Sequence, residues 1–165
     1  METVMEQALR HEILAILEEG KDLTLATLRD DGGPQATTVS YASDGLAIYF
    51  GCSAQSQKAR NLARDPRVSL TVDLPYESWN EIRGLSLGGT AMRVTDPGQA
   101  LEIGRLFVAK FPELGDGSSL GDQEMALFCI TPLVISVLDY RKGFGHVDHV
   151  NAAELDAASD RTRVV

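Results

Sequence analysis

The sequence is short of the residues that announce a function directly. It has two cysteines in 165 residues, Cys52 and Cys129, and one tryptophan, Trp79. Two thiols in a chain without an export signal read as free cysteines rather than a disulfide framework. The three histidines are His11, His146 and His149, and no metal-ligand cluster is visible among the sequence's ligand-type residues, so no metal centre is expected. Positive charge is scarce too: 15 Lys and Arg stand against 24 Asp and Glu, for a formal charge of −9. That argues against an extended nucleic-acid contact, which needs clustered basic side chains, but leaves room for a local basic pocket. No run approaches the roughly 20 apolar residues of a membrane span. Glu2 and Glu6 stand where a secretory signal would be basic and then apolar, so a cytoplasmic protein is expected. Internal repeats and low-complexity blocks are missing as well.

What is present is a run of short alternating segments broken by turns. One domain over residues 1–150 with a C-terminal tail over 151–165 is the economical reading of this length. Met5, Leu9, Ile13, Ile16 and Leu17 repeat at helical spacing and predict a helix over 3–19, ended by Gly20. Strands are expected at 23–29, 35–42 and 46–51, separated by Asp30-Asp31-Gly32-Gly33-Pro34 and Ser43-Asp44-Gly45 turns. Val68, Leu70 and Val72 alternate with polar neighbours in a strand over 67–73, and a long strand over 82–95 carries a bulge or bend at Gly88-Gly89. Asp96 and Pro97 open a helix that runs to Lys110, a Gly- and Ser-rich loop covers 111–122, and two strands follow at 126–131 and 133–140, parted by Pro132. Asn151 and Glu154 have the spacing of a helix cap. Six to seven strands joined mostly as hairpins favour an antiparallel barrel with flanking helices over a parallel sheet.

The segment around which the chain is organised runs from Phe50 to Leu70. Ala59, Leu62 and Ala63 form one face of a helix of about three turns, while Ser56, Lys58, Arg60 and Arg64 lie elsewhere on it. With Ser53 or Ser56 as N-cap, free amide donors, the positive end of the helix dipole and the Lys58 ammonium converge, an arrangement suited to a phosphate. The same features also describe a capped surface helix with a solvated lysine.

Ser56 to Leu70, S-x-K-A-R-N-L-x-R-D-P-R-V-S-L, resembles the signature segment of the pyridoxamine 5'-phosphate oxidase-like, FMN-binding split-barrel family. The strand after Pro34 and the IRGLSLGGTA stretch add to the likeness, which spans about residues 23 to 147. The resemblance implies a mainly β, split antiparallel barrel and a homodimer with FMN at the subunit interface. It implies that Ser56 and Lys58 hold the flavin phosphate, within a cofactor-binding set of Thr37, Thr38, Val39, Ser40, Gly51, Cys52, Ser56, Gln57, Lys58, Gly84 and Leu85. Arg60 and Arg64 would be helpers, and Trp79 could close over the ring. Thr37 stands where the true oxidases carry Arg, Ala42 where they carry Lys, and Gly84 where a Gln is common. Near the C-terminus His146 takes the place of the substrate His, but Phe144 occupies that of its Arg partner. The expected function is therefore a flavin-dependent oxidoreductase acting on a small molecule other than pyridoxamine phosphate. Lys142 to Gly145, K-G-F-G, resembles the haem-utilisation branch, which keeps haem binding through His146 or His149 as an alternative, with the deazaflavin F420 as another. A flavin-binding module without turnover is the third class. The catalytic residues are not legible, and a flavin enzyme can work without a protein acid or base.

Overall fold

A computed structural model describes residues 4–155. Helix α1 (Val4–Glu19) buries Leu9, Ile13, Ile16 and Leu17, as the periodicity predicts, while Met5 at its open end stays exposed. The strands are β1 (Asp22–Leu28), β2 (Pro34–Asp44), β3 (Ala47–Ser53), β4 (Arg67–Asp73), β5 (Arg83–Arg93), β6 (Met125–Asp139) and β7 (Val147–Asn151). Helix α2 (Gln57–Arg64) follows β3, and helix α3 (Pro97–Lys110) follows β5.

All strand pairings are antiparallel, in the order β3-β2-β1-β4-β5-β6-β7, and β3 also pairs with β6. That last seam closes a six-stranded barrel and leaves β7 as an extension beside the second half of β6, a mainly β fold with flanking helices. The interior is filled by alternating residues of each strand, among them Leu23, Leu25, Tyr41, Ile48, Phe50, Leu70, Val72 and Ile130. Phe50 and Phe128 stack with centroids 5.2 Å apart across the closing seam. Tyr41 donates its hydroxyl proton to the Leu17 carbonyl at the end of α1, at 2.8 Å, and burial pushes that hydroxyl's pKa up. No helix among the described residues is long and apolar enough to cross a membrane.

Three expectations need correction. Pro132 does not divide two strands, because β6 is continuous from Met125 to Asp139. The missing proline donor is harmless there, since Pro132 pairs with Gly89 at the one irregular point of the β5–β6 ladder. The bulge itself lies on β6 rather than β5: Gly89 opposes Pro132 and Gly88 opposes Val134, so Leu133 is the extra residue. The inner row of β5 accordingly keeps one parity through Leu85, Leu87 and Ala91, and Met92 faces outward, 61% exposed. Glycine fits at Gly89 because a Cβ there would stand 2.3 Å from the Thr131 carbonyl oxygen. Strand β7 has no counterpart among the expected elements, and beyond it the backbone is helical over 152–155, with Glu154 accepting from the Asn151 amide at 3.2 Å. The Arg161–Val165 end lies outside the described residues.

Candidate functional site

Strands β2 and β3 run together only from Tyr41–Phe50 to Asp44–Ala47. Beyond that point they part: β2 from Pro34 to Ser40 keeps ladder partners on β1 alone, and Gly51 to Ser53 keep theirs on β6. The barrel wall is therefore split between these strands, and the chain fills the mouth of the split with the Ala54–Ser56 connection and α2. The Tyr41 amide donates to Lys21 on the β1 side. Alternation then turns the amides of Ser40 and Thr38 away from β1, toward the strand that has diverged. An open backbone edge faces the split.

Ser56 is the N-cap of α2, with extended backbone, and its Oγ accepts from the Ala59 amide at 3.2 Å. Its carbonyl accepts from Arg60, and its own hydroxyl proton points only to the weak acceptor Cys52 Sγ at 3.5 Å. The first-turn amides of Gln57 and Lys58 have no acceptor within the helix. Lys58 is half-buried, and among the described residues no hydrogen bond or ion pair engages its ammonium. A partly desolvated cation beside free amides at the positive end of a helix is a donor set that fits a phosphate monoester.

The two arginines expected to help are engaged elsewhere. Arg60 donates to the Gln55 carbonyl at 2.6 Å and to Gln57 Oε1 at 2.8 Å, while Arg64 donates to the Leu28 carbonyl. They brace the loop and tie the helix to β1. The inner face of α2 also differs from expectation: Ala63 is exposed, and the polar Asn61 is fully buried beside Leu62. Asn61 accepts from Gln57 Nε2 at 2.8 Å and donates to Thr27 Oγ1 at 3.0 Å and Gln35 Oε1 at 3.1 Å. A helical-period search for apolar residues passes over it, and an asparagine on the buried side of a short helix was the one available signal. Through it α2 is fixed to β1 and β2, and so the Ser56 and Lys58 donors are fixed relative to the open edge. Asn61→Ala is expected to cost about 1.5 kcal/mol of stability, since the buried Thr27 hydroxyl loses its partner; urea unfolding measures it.

Of the residues drawn from sequence, Thr37, Thr38, Val39, Ser40, Gly51, Cys52, Ser56, Gln57 and Lys58 therefore surround one split. Their side chains do not all face it alike. Thr37 shares a face with Gln35 and buried Val39, while Thr38 and Ser40 lie on the opposite, exposed face, where Ser40 donates to Asp22 Oδ1 at 2.7 Å. Gly84 and Leu85 stand apart on β5, paired with Asp73 and Val72. A Cβ at Gly84 would lie 2.6 Å from the Val72 carbonyl oxygen, so this strand contact itself keeps the position free of a side chain. Trp79, 67% exposed, stacks on Phe144 at 6.1 Å, and Phe144 meets Tyr140 at 5.5 Å.

The histidines fall near β7. His146 Nε2 lies 2.9 Å from Asp148 Oδ2, within a cluster that also joins Lys142 to Asp148 and Glu12. His149 is exposed, with Nδ1 2.8 Å from Ser136 Oγ across the β6–β7 ladder.

The same fold occurs in a haem-binding protein from Mycobacterium smegmatis, at TM-score 0.74 and 21% identity, over 95% of this chain. The chain spans 62% of the length of that protein. The conserved hypothetical protein Rv2991 from Mycobacterium tuberculosis superposes at TM-score 0.71 with 28% identity, covering 87% of this chain and 92% of its own. The haem storage protein HutZ from Vibrio cholerae does so at TM-score 0.63 with 23% identity, covering 75% and 89%. Residues 9–138, from within α1 to the end of β6, match the pyridoxamine 5'-phosphate oxidase family. The split between β2 and β3, the signature helix beside it and this match carry one conclusion: the chain belongs to the pyridoxamine 5'-phosphate oxidase family.

Proposed function

We propose that the chain binds FMN in the split between β2 and β3 and serves as a flavin-dependent oxidoreductase for a small molecule other than pyridoxamine phosphate. The observation that carries this reading is the half-buried Lys58 ammonium, free of any protein partner among the described residues, beside the open amides at the start of α2. Ser56, Gln57 and Lys58 would hold the phosphate, and the exposed β2 edge at Thr38 and Ser40 would offer backbone groups to the polar rim of the ring. Bound flavin supplies hydride or electron transfer. The protein's own part is to orient the group and shield it. Phe144 stands in place of the basic residue of the substrate pair that the oxidation of a B6 phosphate would draw on, which is why another substrate is proposed.

A second reading is haem binding, favoured by the likeness to the M. smegmatis protein and HutZ and by one feature of the chain. In the tautomer in which His149 Nδ1–H donates to Ser136 Oγ, 2.8 Å away, the exposed imidazole would have its Nε2 lone pair available to ligate iron. His146 spends its Nε2 on Asp148. The absorption spectrum of protein purified without added cofactor, followed by titration with FMN, haemin and F420, separates the readings. A flavin double band with quenched fluorescence on titration is expected. A Soret band lost in His149→Ala, with no FMN binding, would replace the first reading by the second, and a deazaflavin spectrum would redirect it to F420.

A further inference from the structure

The chain has four lysines, and their surroundings differ. Lys21 is exposed in the turn between α1 and β1, and Lys58 lies in the split at the start of α2. Burial alone would lower the Lys142 ammonium, but hydrogen bonds to Glu12 at 3.2 Å and Asp148 at 3.3 Å hold its pKa above the ordinary range. Lys110, the last residue of α3, is half-buried and has no carboxylate in ion-pair contact among the described residues. Its Nζ sits 3.7 Å from the centre of the Tyr41 ring and donates to the Leu17 carbonyl at 3.3 Å. Tyr41 is fully buried and donates its hydroxyl proton to the same carbonyl, so the ring is a fixed floor beneath the amine. Two of the ammonium's three donors are taken, one by a π face and one by a carbonyl. The third has no partner among the described residues, and it is the proton that can leave. Lys110 feels Asp22 at the start of β1, whereas Arg64 ties α2 to Leu28 at its end, so roughly 20 Å of strand separates this amine from the phosphate donors.

We propose that Lys110 is a covalent modification site, an amine that captures small neutral aldehydes as a protonated Schiff base. The Nζ lone pair forms a bond to the carbonyl carbon, the carbonyl oxygen leaves as water, and the nitrogen keeps one proton as the iminium. Ammonium and aldehyde give iminium and water, and nothing is oxidised or reduced. The surroundings select this class of reagent. An iminium is still a cation, so it keeps the ring face and the Leu17 acceptor, whereas an acylated or carbamylated nitrogen would place a neutral or anionic group over the ring. The charged groups that act on Nζ from the elements packed against it are Asp22 of β1 and Glu18 of α1, and both repel an anionic reagent. The amine is also available near neutrality. Burial lowers its pKa from 10.5 to about 8, against the opposing pull of Asp22 and Glu18. At pH 7.5 about a quarter of such a group is unprotonated, against roughly one part in a thousand of an ordinary lysine. The inference holds whichever cofactor fills the split, and its test uses none.

Propanal with cyanoborohydride traps the iminium as an N-propyl amine, and peptide mass spectrometry of the unaltered full chain reads each lysine separately. At pH 7.5 Lys110 is expected to be labelled at least about tenfold faster than Lys21 and ahead of Lys58 and Lys142. The ratio to Lys21 cancels the reagent's own dependence on pH, and it should shrink above pH 8, where Lys110 is already deprotonated and Lys21 is not. Glyoxylate, an aldehyde that carries a carboxylate, should lower the ratio, because Asp22 and Glu18 are less screened at a half-buried amine than at an exposed one. Uniform labelling of the four lysines overturns the proposal, and so does a Lys110 advantage that persists unchanged to pH 10. A ratio that does not fall with glyoxylate overturns the assignment to neutral aldehydes.

Discussion

The double variant Ser56→Ala/Lys58→Ala is expected to bind FMN about 100- to 1,000-fold more weakly than the unaltered chain while melting only a few degrees lower. A charged hydrogen bond from Lys58 contributes about 1.5–3 kcal/mol and a neutral one from Ser56 about 1 kcal/mol, and about 2.5–4 kcal/mol together corresponds to roughly that range. Stability changes less. Lys58 has no protein partner among the described residues, and losing the Ser56 cap costs about 1 kcal/mol, which in a chain of this size moves the melting temperature by roughly 2–4 °C. Fluorescence titration gives the affinity and calorimetry the stability. An affinity within threefold of the starting value would remove the start of α2 from the site.

Asp139→Asn is expected to cost about 2–3 kcal/mol, and the loss should fade in acid. Asp139 ends β6 with only 1% exposure, and Arg141 grips it with Nε at 2.8 Å and Nη2 at 2.7 Å and donates its amide at 3.1 Å. These hydrogen bonds, led by the guanidinium, hold the Asp139 carboxyl well below the usual carboxylate range against the opposing effect of burial. A charged hydrogen bond to a buried carboxylate is worth about 1.5–3 kcal/mol, and Arg141, half-exposed, survives the loss in water. Because the folded-state value is depressed, the stabilisation is fully present above the unfolded value of about 4 and is lost as pH falls from there through the folded one. Urea unfolding at pH 7 should separate the two proteins widely, and the gap should narrow below pH 4. A gap independent of pH would assign the cost to packing instead. The same fork shapes the Tyr140–Lys142 turn that presents Phe144 to Trp79.

Most strands were readable from sequence because one face of each is buried: Val68, Leu70 and Val72 are hydrophobic for a reason that acts locally. The cap of α2 was readable as well, since Ser56 satisfies amides within its own turn. Where cause and effect lie far apart in the chain, the reading failed. Pro132 ends strands in general, but here Gly89, far back in the sequence, supplies the irregular partner that tolerates it. The five residues of β7 carry two charged or ionisable side chains and few apolar ones, so only the ladder to β6 makes them a strand. At the site, residue types indicated a phosphate donor set. They could not indicate that Arg60 and Arg64 turn to backbone carbonyls, that Asn61 is buried, or that Thr37 and Thr38 straddle the sheet.

The seam that closes the barrel joins Ile48 to Ile130 and Ser53 to Met125, residues separated by nearly half of the chain. During synthesis the β1–β2–β3 meander is complete long before its last neighbour leaves the ribosome, and one flank of β3 waits without hydrogen-bond partners. Closing so long a loop is entropically slow. Until the segment from Met125 to Ile130 has been synthesised, the native hydrogen-bond partners of that flank of β3, which carries Ile48 and Phe50, do not exist.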